Sequence, residues 1–228
     1  MILITGASKG IGNYLLKEFS KSGYPVAGTY NTSKPDDDNL SLLSKVDIAD
    51  IDSVLSWINY LKTDLNNIVL INCASISYTV FAHKSDLDEW KKVIDVNLVG
   101  TFNVIWSVLP FMREQFYGRI INFSSVVAQI PTPGVSAYAA SKSALWGLSK
   151  SLAAENGSKG ITVNSINLGY ANLGMGINEV PKEYQQQMKL RIPSSSFCEP
   201  EIILKTVKYI IDSDYLNGAS IDLNGGLI

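Results

Sequence analysis

Tyr138 stands four residues before Lys142 in the segment YAASK, and Ser125 lies thirteen residues before the tyrosine. A phenol with a pKa near 10 is a slow acid–base group at neutral pH, and a neighbouring ammonium lowers that pKa by favouring the phenolate. A shift of about three units corresponds to roughly 4 kcal/mol of differential interaction. The same spacing recurs in YNTSK, from Tyr30 to Lys34. In a chain of 228 residues with 11 tyrosines, about one such pair arises by chance, so position has to decide between them. The stretch 139–155 has helical composition, which puts Tyr138 and Lys142 on one face within reach of a common ligand. Ser124 and Ser125 follow the apolar run RIINF (119–123), placing hydroxyls at the carboxyl edge of a strand, where open α/β sheets bind ligands. YNTSK instead reads as a loop after a strand. Its lysine need not lie one helical turn above its tyrosine.

A second constellation begins at the N-terminus, where the apolar run ILIT (2–5) enters Thr5-Gly6-Ala7-Ser8-Lys9-Gly10-Ile11-Gly12. Strand, glycine-rich turn and helix in that order suit a dinucleotide pyrophosphate. Glycine lets the backbone approach the anion, and the helix N-terminus supplies N–H groups and a positive dipole end. Gly6, Ser8, Lys9, Gly10, Ile11 and Gly12 are the candidate contacts. The spacing is G-x-x-x-G-x-G, not G-x-G-x-x-G. An acidic residue after the second strand would bind the ribose 2′-hydroxyl and repel a 2′-phosphate. This chain has Asn31, Thr32, Ser33 and Lys34 there, with Lys9 as a second counter-charge. NADP(H) is therefore favoured. Asp36–Asp38, folded back, would support NAD(H) instead.

The elements that must position these groups alternate. Apolar runs at 2–5, 25–29, 68–72, 119–123, 161–166 and 219–223, with a weaker one at 43–46, read as strands. Helical patterns fall at 11–21, 51–61, 89–113, 139–155 and 200–211. This is the βαβ signature of a parallel sheet buried on both faces. A single Rossmann-like domain over 1–228 is expected, a doubly wound sheet of about seven strands with helices on both faces. The segment 170–193 lacks strand character and is the expected substrate lid, in which Tyr170, Met175 and Tyr184 would meet an apolar substrate.

Composition excludes several classes. With 46% hydrophobic and 18% charged residues, the chain can fill a large core and is not of disordered type. A net charge of −2 and the lack of a basic stripe argue against nucleic-acid binding. The apolar runs are too short to span a bilayer, and the start, MILITGAS, shows no signal-peptide pattern. The two cysteines, Cys73 and Cys198, fit no metal or CxxC spacing. No metal and no membrane partner are expected, and a cytoplasmic location with reduced thiols is the simplest reading. His83 reads as a loop residue. Trp57, Trp90, Trp106 and Trp146 fall in helical patterns, where core or subunit packing explains them.

Taken together, TGASKGIG at the N-terminus and S125-x12-Y138-x3-K142 resemble the short-chain dehydrogenase/reductase family. The resemblance extends over nearly the whole chain, through Asp47-Ile48, Asn72, Asn97 in DVNLVG and the closing YLNGASIDLNGG. It implies that Tyr138 protonates a carbonyl oxygen as hydride arrives from nicotinamide, and that Lys142 binds the nicotinamide ribose and depresses the tyrosine pKa. It further implies that Ser125 hydrogen-bonds the substrate oxygen and that Asn97 holds a water linking Lys142 to solvent. Asp47, Ile48, Asn72, Ala74, Gly169 and Ala171, with Tyr138 and Lys142, join the cofactor contacts. Within the family, GRIINFSSVV, SAYAASKSALWGLSKSLA and GITVNSIN are most similar to 3-oxoacyl-[acyl-carrier-protein] reductases. The implied substrate is an acyl group, either on a small thioester or on a carrier protein, and the implied assembly a homotetramer or homodimer. A dehydrogenase of a sugar, polyol or other secondary alcohol is the alternative, and a non-catalytic NADP(H)-binding protein a third reading.

Three departures stand out. The family's N-N-A-G after the fourth strand is here Asn72-Cys73-Ala74-Ser75. Its Pro-Gly pair after the sixth strand is Leu168-Gly169, and the threonine that follows is missing. The segment 115–118, before the fifth strand, lacks the basic residue expected for docking an acidic carrier, although Lys159 could supply one.

Overall fold

The computed structural model describes residues 1–33, 41–174, 177 and 182–228. Its centre is one seven-stranded, wholly parallel sheet. The strands are β1 (Ile2–Thr5), β2 (Val26–Tyr30), β3 (Leu43–Lys45), β4 (Val69–Asn72), β5 (Gly118–Ser125), β6 (Ile161–Leu168) and β7 (Ser220–Leu223). They lie in the order β3-β2-β1-β4-β5-β6-β7. The helices are α1 (Gly10–Lys21), α2 (Ile51–Leu61), α3 (Leu87–Ile94), α4 (Thr101–Gln115), α5 (Ser136–Asn156), α6 (Lys182–Arg191) and α7 (Pro200–Asp212). This is the doubly wound Rossmann-like arrangement that the alternation of runs predicts.

Side-chain alternation along the strands divides the core in two. Leu3, Leu70, Ile120 and Val163 point to one face and pack with Val54 and Trp57 of α2, Val104 and Val108 of α4, and Leu152 of α5. Their neighbours Ile2, Ile4, Val69, Ile71, Ile121 and Ile166 point to the other, against Leu15, Leu16 and Phe19 of α1 and Ile203, Val207 and Ile210 of α7. A period of two is what a pleated strand imposes. It explains why strands covered on both faces read as unbroken apolar runs. Each such side chain contributes about 1.5–3 kcal/mol by leaving water.

Helix ends follow local chemistry. The carboxylate of Asp50 accepts from the Asp52 amide at the start of α2, and that of Asp86 accepts from the Asp88 and Glu89 amides at the start of α3. Pro200 opens α7, where its missing N–H costs nothing. Between α3 and α4 the chain widens into a π-helical segment, Asp95–Gly100. By length and composition the helical stretch Leu87–Gln115 could cross a membrane, which the short apolar runs do not reveal. One side of it packs in the core, where Val104, Ile105, Val108 and Met112 are fully buried.

Candidate active site

The strand order reverses between β1 and β4, so their carboxyl ends open a crevice at the topological switch point. The glycine turn lies there. Gly6 and Gly10 have φ of +66° and +57°, in the left-handed region that side chains disfavour. A Cβ on Gly6 would lie 2.6 Å from the Ala74 Cα, and one on Gly12 would overlap the Gly6 carbonyl oxygen. The turn is pinned from both sides: the Ala7 amide donates to the Thr29 carbonyl at 2.7 Å, and the Ala74 amide to the Thr5 hydroxyl at 3.2 Å. The Lys9 side chain does not cap α1, and the first turn carries no carboxylate, so the helix N-terminus keeps its partial positive charge. Two buried polar atoms beside this cradle, Asn72 Oδ1 and Ser75 Oγ, have no hydrogen-bond partner. A pyrophosphate and nicotinamide half fit such a surface.

The other expected cofactor contacts rim the same crevice. Asn31, Thr32 and Ser33 follow β2, the first two exposed. Lys34 and Asp36–Asp38, which bear on the choice between NADP(H) and NAD(H), lie outside the described residues. Asp47 follows β3, its carboxylate accepting from the Ala49 amide at 3.0 Å. Ile48 is buried under Gly100, where a Cβ would come within 2.8 Å of the Ile48 side chain.

The tyrosine–lysine pair sits as its spacing demands. α5 begins at Ser136, so Tyr138 falls in its first turn and Lys142 one turn on. The Lys142 Nζ lies 5.5 Å from the centre of the Tyr138 ring and donates to the Phe123 carbonyl at 2.8 Å. Only 4% of the lysine is exposed. Burial lowers its pKa from 10.5 to about 8, slightly opposed by the Cys73 thiol nearby. That thiol is pushed up to about 12, again by burial, with Lys142 opposing. The Ser124 hydroxyl donates to the Lys142 carbonyl at 2.8 Å, tying α5 to β5. Ser125, the last residue of β5, is half-buried and accepts weakly from the Val127 amide at 3.4 Å. The two serines therefore differ: Ser124 ties α5 to β5, whereas Ser125 accepts from the Val127 amide.

Asn97 is fully buried in the π-helical segment. Its Oδ1 accepts from the Ile76 amide at 2.9 Å, and its Nδ2 donates to the Ile76 carbonyl at 2.9 Å and the Ser141 hydroxyl at 3.1 Å. The side chain thus binds the loop after β4 to α5. The Asn97 carbonyl accepts from the Thr101 hydroxyl at 2.9 Å. Asn72 begins a second buried chain. It donates to Asn122 at 2.9 Å, Asn122 donates to Ser149 at 2.9 Å, and Ser149 meets Ser165 at 2.9 Å.

After β6, Gly169 packs on Asn224, whose Cα would lie 2.9 Å from an added Cβ. Ala171 pairs with Cys198 in an isolated parallel bridge. Tyr170 stacks on Phe197 at 5.4 Å, with the Tyr184 phenol nearby. Of the expected lid, Met175 lies outside the described residues. Both cysteines are free thiols. His83 sits exposed in a short 3-10 turn, Ala82–Lys84.

Sequence reasoning missed three participants. Gly174 abuts Gly10, where a Cβ would sit 3.2 Å from its Cα, and only its being a glycine in the lid signalled that contact. The closeness of Cys73 to Lys142 joins residues far apart in the chain. α6 carries Met188, beside the already expected Tyr184, to the β5–α5 loop, yet its sequence, KEYQQQMKLR, has no apolar period to announce a helix.

Comparison with known proteins bears on the family and the fold. The sequence pattern of the family described as short chain dehydrogenase matches residues 1–183. The 3-oxoacyl-[acyl-carrier-protein] reductase FabG of Staphylococcus aureus is 34% identical over 238 residues, covering 99% of this chain and 96% of that protein. The acetoacetyl-CoA reductase of Shinella zoogloeoides is 34% identical over 233 residues, covering 98% and 96%. The crystal structure of a 3-oxoacyl-[acyl-carrier protein] reductase from Brucella melitensis superposes with a TM-score of 0.87 at 28% identity, covering 99% of this chain and 90% of that one. On this sequence and this fold, the chain belongs to the short-chain dehydrogenase/reductase family and is an NAD(P)-dependent oxidoreductase acting on the C=O/CH–OH pair.

Proposed function

We propose that this protein reduces the ketone of a 3-oxoacyl thioester to the secondary alcohol with NADPH, as one dinucleotide-binding and catalytic domain. The observation that carries the reading is the buried Lys142 ammonium, held by the Phe123 carbonyl 5.5 Å from the Tyr138 ring. A charge so poorly solvated is costly, and its use is to stabilise a phenolate beside it. Gly6, Gly10, Gly12 and the N-terminus of α1 would hold the pyrophosphate, and Asp47 and Ile48 would meet the adenine half. Asn72, Ala74, Gly169 and Ala171 would meet the nicotinamide half. When bound, the reduced dinucleotide supplies one hydride to the carbonyl carbon. Ser125 donates a hydrogen bond to the carbonyl oxygen. Tyr138 transfers its proton to that oxygen as negative charge builds, and Lys142 stabilises the phenolate left behind. Asn97 acts through Ser141 and the Ile76 backbone, fixing the loop after β4 against α5.

NADPH is preferred to NADH in this reading because Asn31, Thr32 and Ser33 offer no carboxylate to a 2′-phosphate and Lys9 offers a cation. The setting is cytoplasmic, without nucleic-acid or membrane partners. The working form is a homodimer or homotetramer: Val99, Phe102 and Trp106 form an exposed apolar stripe along the π segment and α4, the kind of surface copies of a chain bury together. Purified protein should consume NADPH with acetoacetyl-CoA. Tyr138→Phe should lower kcat/KM by about 10²–10⁴-fold with NADPH affinity unchanged. Full activity in that variant would refute the mechanism.

A further inference from the structure

A cavity of about 90 Å³ opens between the β5–α5 loop and the segments after β6. Val127 and Ile130 line it from the loop, Tyr170, Tyr184 and Met188 from the lid, and Leu227 from the C-terminus. We infer that this cavity receives the alkyl end of the substrate and restricts it to short 3-oxoacyl groups of about four carbons. This rests on the reading of the protein as a 3-oxoacyl thioester reductase.

The location follows from connectivity, because the loop begins directly after Ser125, the group proposed to meet the carbonyl oxygen. The size follows from volume. An apolar cavity of about 150 Å³ takes a benzene ring of six carbons, so one of about 90 Å³ takes about three or four carbon atoms. Those suffice for the end of a four-carbon chain and fall short of an eight-carbon one.

The wall opposite the loop is built to stay in place. Met188, Ile192 and Phe197 form a buried cluster against which Tyr170 and Leu227 pack. Tyr170 stacks on Phe197 with 20° between the rings. Burial, with the Tyr184 phenol nearby, raises the Tyr170 pKa to about 12. Arg191 lines the same cavity, and among the described residues no carboxylate pairs with it. A longer alkyl chain running past Arg191 would strip water from its charge, an outcome that disfavours such substrates.

The test compares acetoacetyl-CoA with 3-oxooctanoyl-CoA as substrates for the wild type, Met188→Ala and Tyr184→Ala. In parallel, calorimetry measures binding of the 3-hydroxybutyryl and 3-hydroxyoctanoyl N-acetylcysteamine thioesters in the presence of NADP⁺. The wild type should favour the four-carbon compound at least tenfold, in kcat/KM and in affinity. Whichever variant folds should reduce that preference at least threefold by admitting the longer chain. A wild-type preference below tenfold, or a preference unmoved in both variants, overturns the inference. If neither CoA ester is reduced but the four-carbon ligand still binds tenfold tighter, the cavity assignment stands and the proposed reaction falls. If neither ligand binds, the cavity assignment is overturned.

Discussion

Replacing Lys142 with methionine should abolish catalysis and yet stabilise the protein. The native lysine keeps only 4% of its surface, and its pKa falls from 10.5 to about 8. That difference corresponds to about 3 kcal/mol by which burial disfavours the charged form at neutral pH. Methionine fills a similar space without a charge. It leaves the Phe123 carbonyl without its donor, which offsets about 1 kcal/mol of the gain. The net expectation is about 2 kcal/mol of added stability at pH 7, without cofactor. The pH dependence is the sharper signature. Between pH 8 and 10.5 the unfolded lysine holds a proton that the folded one has lost. Wild-type stability therefore rises with pH across that window relative to the variant, and the advantage of methionine fades. Urea unfolding of both proteins at pH 7 and at pH 10 measures the difference, and the other titrating groups cancel in the comparison. A variant less stable than wild type at pH 7, or a difference that ignores pH, would refute the reasoning.

Three further outcomes follow from the same contacts. Gly6→Ala puts a Cβ 2.6 Å from the Ala74 Cα at a φ of +66°; it should cost about 1–2 kcal/mol from backbone strain alone and weaken NADPH binding at least tenfold in a fluorescence titration. Asn97→Ala removes three hydrogen bonds inside the protein; stability should fall by about 2–3 kcal/mol in urea, and kcat should fall more than KM changes, since the side chain positions others. Trp106, 52% exposed on α4, should tolerate Trp106→Glu as a monomer but not in an apolar interface, so light scattering should show a smaller assembly with an unchanged far-UV spectrum.

The sheet and the placing of Tyr138 and Lys142 one turn apart on a helix were legible for definite reasons. Strands covered on both faces are largely apolar, so ILIT and IVLIN announce themselves, and the turn at Gly6 and Gly10 needs residues that tolerate positive φ. The edges of helices were less visible. α5 starts at Ser136, whose hydroxyl accepts from the Trp90 indole at 3.1 Å, a tertiary contact with no local signature. α6 buries only Met188, so its ten residues carry no periodic pattern. Which of Ser124 and Ser125 ties α5 to the sheet also escaped the sequence. Adjacent strand residues face opposite ways, and only the packing of α5 decides which hydroxyl meets the Lys142 carbonyl. The polar run Asn72, Asn122, Ser149 and Ser165 joins four elements through pairings that depend on strand register alone.

The π-helical segment Asp95–Gly100 has a consequence for how this stretch of chain can change over evolutionary time. One extra residue in a turn offsets the two flanking helices by about 100° of rotation and about 1.5 Å of rise. α3 and α4 are thus held out of phase, each with its buried side aimed at a different neighbour: α3 toward α5, α4 toward the sheet and α2. Deleting any single residue between 95 and 100 would let the stretch relax into one regular helix. Its two halves could then no longer both face inward, and Asn97 would swing off Ser141 and Ile76. Substitutions along this stretch cost individual contacts, whereas a one-residue deletion would cost the alignment itself.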